Sequence, residues 1–314
     1  MAVSSYIFSF RMKNFLIKAI SFSLLFILID IVVGQIFDRF YFKVKSGNIY
    51  KSNYSLTDCN EDILIMGASE VSHSFISRQI EDSLGLTCYN LGMDAQNIYY
   101  QYAMLEQIVK RYTPKIIVIS TYIIEEDEVT VNTLFPYFSK NKDIAAIVND
   151  IAPKERIKLI SKIYTYNSQI LKILKGLIIP EPPTNGYMPI NTPGKAMKLD
   201  TIPFTASTSA RTLRYFEKYL KLALQAGSRV VVVATPKYLY ELNNEFPIDL
   251  NDGIYYNNVL HLVYENDTAF VNHPEYFRDK IHLNHTGAQI FTARFISDLE
   301  ESGLAEAISV SDPK

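Results

Sequence analysis

Two segments more than two hundred residues apart carry the side chains of nucleophilic chemistry: Gly67-Ala68-Ser69, and Asp279-Lys280-Ile281-His282. A serine hydroxyl is a weak nucleophile until a base takes its proton. Histidine can do so, and a neighbouring carboxylate fixes the histidine tautomer and stabilises the imidazolium. Asp279 and His282 stand three apart, a spacing that lets both side chains meet on one turn. The chemistry to expect is hydrolysis or acyl transfer, with Ser69 as nucleophile, His282 as base and Asp279 as its orienting carboxylate. Plainer readings stand beside it: Ser69 as a helix N-cap, and Asp279 with His282 as a surface turn around a packed imidazole. Among the other histidines, His73 faces the helix after Ser69 and His261 lies on an apolar helical stretch. His273 and His285 flank the second segment, and His285 is the rival base.

These residues need a scaffold, and apolar runs of strand length alternating with helical stretches predict an α/β domain with a parallel sheet. Strands are expected at 62–66, in a run ending at Gly92, at 115–120 (KIIVIS), at 229–234 (RVVVVA) and at 269–272. Helices are expected at 74–84, 99–112, 209–225 and 286–301, with Gly85 and Gly227 as stops. Residues 125–200 break the alternation with a helical stretch at 154–177 and a Pro-rich loop from Pro180, and are expected as an insertion. In such a sheet ligands bind beyond the carboxyl ends of the strands, where Ser69 leaves the first one. The acidic run 125–128 is expected as a solvated loop.

Residues 15–37 (FLIKAISFSLLFILIDIVVGQIF) match the about 20 residues needed to span a bilayer, and are expected as an uncleaved transmembrane anchor. Lys18 can snorkel, whereas Asp30 costs about 2.5–3.5 kcal/mol if placed at the bilayer centre. A tail at 1–14, a polar linker at 38–60, the main domain at 61–304 and a second tail at 305–314 complete the expected organisation. Cys59 and Cys88 are expected at the same end of the sheet, either as a disulfide or as two buried thiols.

The order GAS, then NLGMDAQN, then DKIHLNHTGA resembles the SGNH/GDSL hydrolases, closest to membrane-anchored bacterial members associated with surface-polysaccharide or cell-wall acylation. The resemblance covers most of the chain after the anchor. It implies a flavodoxin-like three-layer α/β/α sandwich and an oxyanion hole built from backbone N–H groups of Ser69 and of Ala95, where the family has glycine. After KIIVIS the family has an oxyanion-binding asparagine, but this chain has Thr121-Tyr122-Ile123, so either Tyr122 or Asn97 substitutes or activity is low. Gly92, Gln96 and Tyr122 fall on the substrate side; equally, Gly92 can end a strand and Gln96 and Asn97 cap a helix. The implied activity is that of an esterase or O-acyltransferase on O-acyl groups, acetyl foremost, of an envelope carbohydrate. The implied location is the inner membrane with the domain extracytoplasmic; the rival is an inactive binding or assembly module of the same fold.

Composition limits the partners. A net charge of -2 from 31 basic and 33 acidic residues gives no field for nucleic acid. There is no Walker loop, GxGxxG or CxxC, and no cofactor or metal is expected. The 22 tyrosines, including Tyr99-Tyr100 and Tyr255-Tyr256, fit a β-containing core or a sugar-stacking surface. Nothing in the sequence fixes the oligomeric state.

Overall fold

A computed structural model describes residues 2–124, 128–179, 184–192, 209–238, 258–265 and 267–304. The chain forms two compact units, one from 1–44 with 134–179 and one from 45–133 with 180–314.

The first unit is helical. Helix α1 (Ala2–Tyr41) includes the apolar stretch Met12–Tyr41, long enough to cross a membrane, whose most apolar 18 residues have a mean hydropathy of 2.5 and are unburied. The unit also contains α6 (Phe135–Phe138), α7 (Lys142–Ile151), α8 (Glu155–Lys158) and α9 (Ile170–Ile178), of which α9 packs on α1 and α6 meets it through Tyr137 on Tyr41. The single helix expected at 154–177 is therefore broken, because Asp30 draws the chain between α8 and α9 onto α1. Its carboxylate accepts from Ser161 Oγ at 2.6 Å and from the N–H groups of Lys162 and Ile163 at 2.8 and 3.1 Å. The acid that looked costly in an apolar helix thus has three donors. Asp38, two turns on, accepts from the Tyr166 hydroxyl and pairs with Lys140 at 2.9 Å.

The second unit is the α/β domain. Its helices are α2 (Gly47–Thr57), α3 (Ser69–Ser74), α4 (Ser77–Leu84), α5 (Ile98–Ile108), α10 (Ala210–Gln225), α11 (Thr268–Val271) and α12 (His285–Glu301). Its strands are β1 (Ile63–Met66), β2 (Cys88–Asn90), β3 (Ile116–Ser120), β4 (Arg229–Ala234) and β5 (Val259–Val263), all parallel in the order 2-1-3-4-5. The central strands are aliphatic on both faces because helices cover both. Ile63, Ile65, Val118, Val231 and Val233 pack against Phe75 of the α3–α4 junction and Phe291 and Phe295 of α12. Met66, which points the other way, meets the Tyr219 hydroxyl of α10.

Several expectations need correction. Residues 38–60 are not a polar linker: α1 runs to Tyr41, and α2 follows with Ile49, Lys51, Ser52 and Ser55 buried. The helix expected at 74–84 begins only at Ser77, because Ser74 ends the separate α3, which Asn90 closes by donating from Nδ2 to the carbonyls of Val71 and Phe75. The strand expected at 269–272 is the short α11, capped by the Asp267 carboxylate on the N–H of Ala269. The fifth strand is instead β5, which carries His261, so that residue is not helical. Cys59 and Cys88 are both free and buried, which resolves their alternative against a disulfide. Residues 125–127 of the acidic run, 180–183 of the Pro-rich loop, Tyr255-Tyr256 and the tail at 305–314 lie outside the described residues.

Candidate active site

The sheet order reverses direction between β1 and β3, and it is beyond the carboxyl ends of strands at such a switch point that parallel sheets bind their ligands. Ser69 occupies that point as the first residue of α3. Ala68 is the N-cap, so the Ser69 hydroxyl makes no capping bond. Gly67 makes the turn feasible: a Cβ there would collide with Val71 Cγ2 and come within 3.1 Å of Ser120 Cβ. The Ser69 N–H belongs to the first turn, where amides have no intrahelical acceptor.

His282 reaches Ser69 from the far end of the chain, its Nε2 lying 2.7 Å from Ser69 Oγ. Its Nδ1 is 2.9 Å from both Asp279 carboxylate oxygens. The loop that supports this contact is over-determined. Asp279 Oδ1 accepts the N–H groups of Ile281 and His282 at 3.1 and 3.0 Å, forming a local turn. Arg278 N–H donates to the His282 carbonyl at 2.8 Å, Phe277 bridges Leu283, and Asn284 caps α12. Burial pushes the Asp279 carboxyl upward, but the His282 bond and the two backbone N–H groups outweigh it and hold the group at about 2. The aspartate is therefore ionised at neutral pH and selects the His282 tautomer with its proton on Nδ1, leaving Nε2 free to accept the serine proton. All three predicted triad residues come together.

His285 points elsewhere, its Nδ1 2.9 Å from the Tyr187 hydroxyl, and so does not compete as a base. His273 pairs with Glu275 on the surface. His73 is closer to the chemistry: its ring stands edge-on to that of His282 at 5.4 Å between centroids. Burial holds the His73 imidazole below its ordinary range, and Nδ1 donates to the Met188 carbonyl at 2.6 Å. A neutral His73 leaves Nε2 as an acceptor, with Asp94 3.7 Å away.

The second predicted segment lies alongside the first. Leu91 N–H donates to the Ile65 carbonyl at 2.7 Å and Met93 N–H to that of Gly67 at 3.0 Å, so residues 91–93 continue the β1–β2 pairing up to Gly67, just before Ser69. Gly92 is required by close approach: a Cβ would lie 2.5 Å from the Ser72 nitrogen. Ala95 is exposed and has φ 55, a left-handed conformation that normally selects glycine. An alanine held there costs about 1–2 kcal/mol, and such strain clusters where a loop presents its backbone to a ligand. Gln96 and Asn97 are largely buried; Gln96 Nε2 donates to the Ala95 carbonyl at 2.8 Å, and Asn97 Oδ1 caps α5 on the Tyr99 N–H. Tyr122 lies in a short 3-10 turn after β3, with the Lys237 ammonium 4.9 Å from its ring centre.

Three residues of this site are not marked by any sequence motif. Lys51 of α2 is buried and its Nζ donates to the Gly92 carbonyl at 2.8 Å and to Ser72 Oγ at 3.1 Å, joining the two segments that frame Ser69. Glu70, next to the nucleophile, is fully buried; its Oε1 accepts from the Ala68 N–H, while Oε2 has no hydrogen-bond partner. Burial raises the Glu70 carboxyl despite hydrogen bonds from Ser120 and Ala68 and the charge of Lys237. Lys237 is also buried and pairs with Glu265 at 2.7 Å. Among the described residues, no group of three or more His, Cys, Asp or Glu side chains is placed to hold a metal ion.

Neither a scan against protein-family models nor a search of the curated proteins found a match to this chain.

Proposed function

We propose that this protein is a membrane-anchored serine esterase or O-acyltransferase of the SGNH/GDSL type, acting on O-acyl groups, acetyl foremost, of an envelope carbohydrate. The observation that carries this reading is the unbroken line Asp279–His282–Ser69, with 2.9 Å and 2.7 Å contacts at the two imidazole nitrogens. The strand order 2-1-3-4-5, which is the flavodoxin-like one, and the position of Ser69 at its switch point support the same class.

In the proposed reaction His282 Nε2 takes the Ser69 proton as Oγ adds to the ester carbonyl. The oxyanion then meets the backbone N–H groups of Ser69 and Ala95. Collapse expels the alcohol, which receives its proton from His282, and leaves an acyl-serine. Water or a sugar hydroxyl next gives its proton to His282, attacks the acyl carbon and releases Ser69. The apolar helix α1 serves as the anchor, with the domain on the extracytoplasmic side of the inner membrane. The polar neighbours of the triad, His73 and Asp94, suit a small acyl group on a hydroxylated alcohol better than a lipid chain.

One observation favours the rival reading of a non-catalytic module: residues 121–123 after β3 supply no asparagine to the oxyanion. A comparison of substrates tests the proposal. The full-length protein in detergent is expected to deacetylate O-acetylated oligosaccharides and p-nitrophenyl acetate, and to slow by at least tenfold on octanoyl and longer esters. Preference for long chains would replace the carbohydrate reading with a lipid esterase. Absence of turnover on every ester by the folded protein would leave the non-catalytic module.

A further inference from the structure

The unit built on α1 has an apolar outer surface beyond α1 itself. On α9, Ile173 and Gly176 face inward, while Leu171, Leu174 and Ile178 lie three and four apart on the outward side. Leu171 and Ile178 are 81% and 78% exposed, and Ile157 and Ile160, just before the segment bound to Asp30, are 75% and 77% exposed. Five large aliphatic side chains displayed from one short insertion are more than an aqueous surface ordinarily carries. Lys172 and Lys175 border the α9 stripe, and Lys158 and Lys162 border Ile160. An aliphatic stripe edged by lysines is the composition of a helix lying in the headgroup boundary of an anionic bilayer.

The attachment to α1 sets the depth. Ser161, Lys162 and Ile163 are hydrogen-bonded to Asp30, and Lys162 packs so tightly on Gly34 that no Cβ could be added there. The apolar run 15–37 ends at Phe37, about 10 Å of helix beyond Asp30. The bound segment, with Ile157 and Ile160 beside it, thereby lies within about 10 Å of one face of the hydrocarbon layer. Asp30, supplied with donors from the insertion, needs no partner in the lipid.

We propose that the insertion is a second membrane-binding element, lying in the plane of the leaflet from which α1 emerges, with Ile157, Ile160, Leu171, Leu174 and Ile178 among the upper acyl chains and the bordering lysines at the headgroups. This rests on the reading of α1 as a transmembrane anchor. Its effect is to fix the tilt and rotation of the anchor, which a single helix leaves free.

Depth-dependent quenching tests it on the full-length protein in phosphatidylglycerol–phosphatidylcholine vesicles. Ile160→Cys, Leu171→Cys and Ile178→Cys are each labelled with an environment-sensitive fluorophore, and Leu25→Cys on α1 reports the anchor; Cys59 and Cys88 are buried. Labels at 160, 171 and 178 are expected to be quenched by shallow doxyl lipids to within about twofold of the best quenching at 25, and to resist aqueous iodide. Quenching at 25 by deep doxyl lipid, combined with iodide access at 171 and 178, would overturn this proposal and leave the anchor standing. Shielding of 171 and 178 from both quenchers would point to a protein partner and also overturn it. Iodide access at 25 would remove the anchor and this inference together.

Discussion

Replacing Asp279 by asparagine probes how the carboxylate sets the state of His282 without removing bulk. In the native protein both carboxylate oxygens lie 2.9 Å from His282 Nδ1, and Oδ1 also holds the N–H groups of Ile281 and His282. Those two donors fix the direction of an amide: its oxygen must take the Oδ1 position, leaving the NH2 at Oδ2. Nδ1 then faces one acceptor and one donor, so the Nδ1–H tautomer loses its advantage and the imidazolium loses its counter-charge. A fully buried triad loses about 10,000-fold on this change. Here the aspartate side chain is 51% exposed, so water offsets part of the loss. We expect kcat on p-nitrophenyl acetate to fall about 1,000-fold, equivalent to about 4 kcal/mol of transition-state stabilisation. The thermal midpoint at pH 7 should move little, because the amide oxygen keeps both backbone bonds. In a Ser69→Ala background the same change should have no further effect, since the residues act as a unit. A loss of less than fivefold, or an equal loss in the Ser69→Ala background, would refute the role given to Asp279.

Three other perturbations address the surroundings of Ser69. Ala95→Gly relieves the residue at φ 55 and is expected to raise stability by up to about 1 kcal/mol with activity retained, whereas Ala95→Val should lower both, as measured by thermal melts and ester turnover. Lys51→Met leaves the Gly92 carbonyl and Ser72 without their donor and should cost about 2–3 kcal/mol in chemical denaturation, with slower fluorophosphonate reaction at Ser69. For Glu70 the sign runs opposite to the usual carboxylate. Its raised folded-state value means that stability is lost as pH climbs above the ordinary 4.5, where the unfolded chain ionises and the folded chain does not. Glu70→Gln should therefore stabilise the protein relative to wild type at pH 7.5, with the gap closing below pH 4.5 in melts at the two pH values.

The reactive residues were legible because their support is local. Three-residue spacing lets Asp279 turn back on the amides of Ile281 and His282, and a small-residue turn after an aliphatic strand places Ser69 at the carboxyl end of β1. Aliphatic runs such as KIIVIS and RVVVVA declared the central strands for the same reason, being buried on both faces. What failed depended on distant partners. Residues 47–57 look like a linker because Lys51, Ser52 and Ser55 are polar, yet all three are buried: Lys51 donates to the Gly92 carbonyl, and Ser52 Oγ is hydrogen-bonded with the Tyr100 hydroxyl. The break between α3 and α4 is made by Asn90 from another strand. The run 269–272 is too short for periodicity to separate strand from helix, and the Asp267 cap decides it. Nor does any local pattern mark Glu70 or Lys237 as buried charges.

The nucleophile itself can be observed directly. Intact-mass spectrometry of the full-length protein after exposure to a fluorophosphonate should show one covalent adduct, mapped by proteolysis to the peptide containing Ser69. It should disappear in Ser69→Ala and form at least a hundredfold more slowly in His282→Ala. A folded wild-type protein that takes up no label, or one labelled equally with and without Ser69, would contradict acyl chemistry at this site.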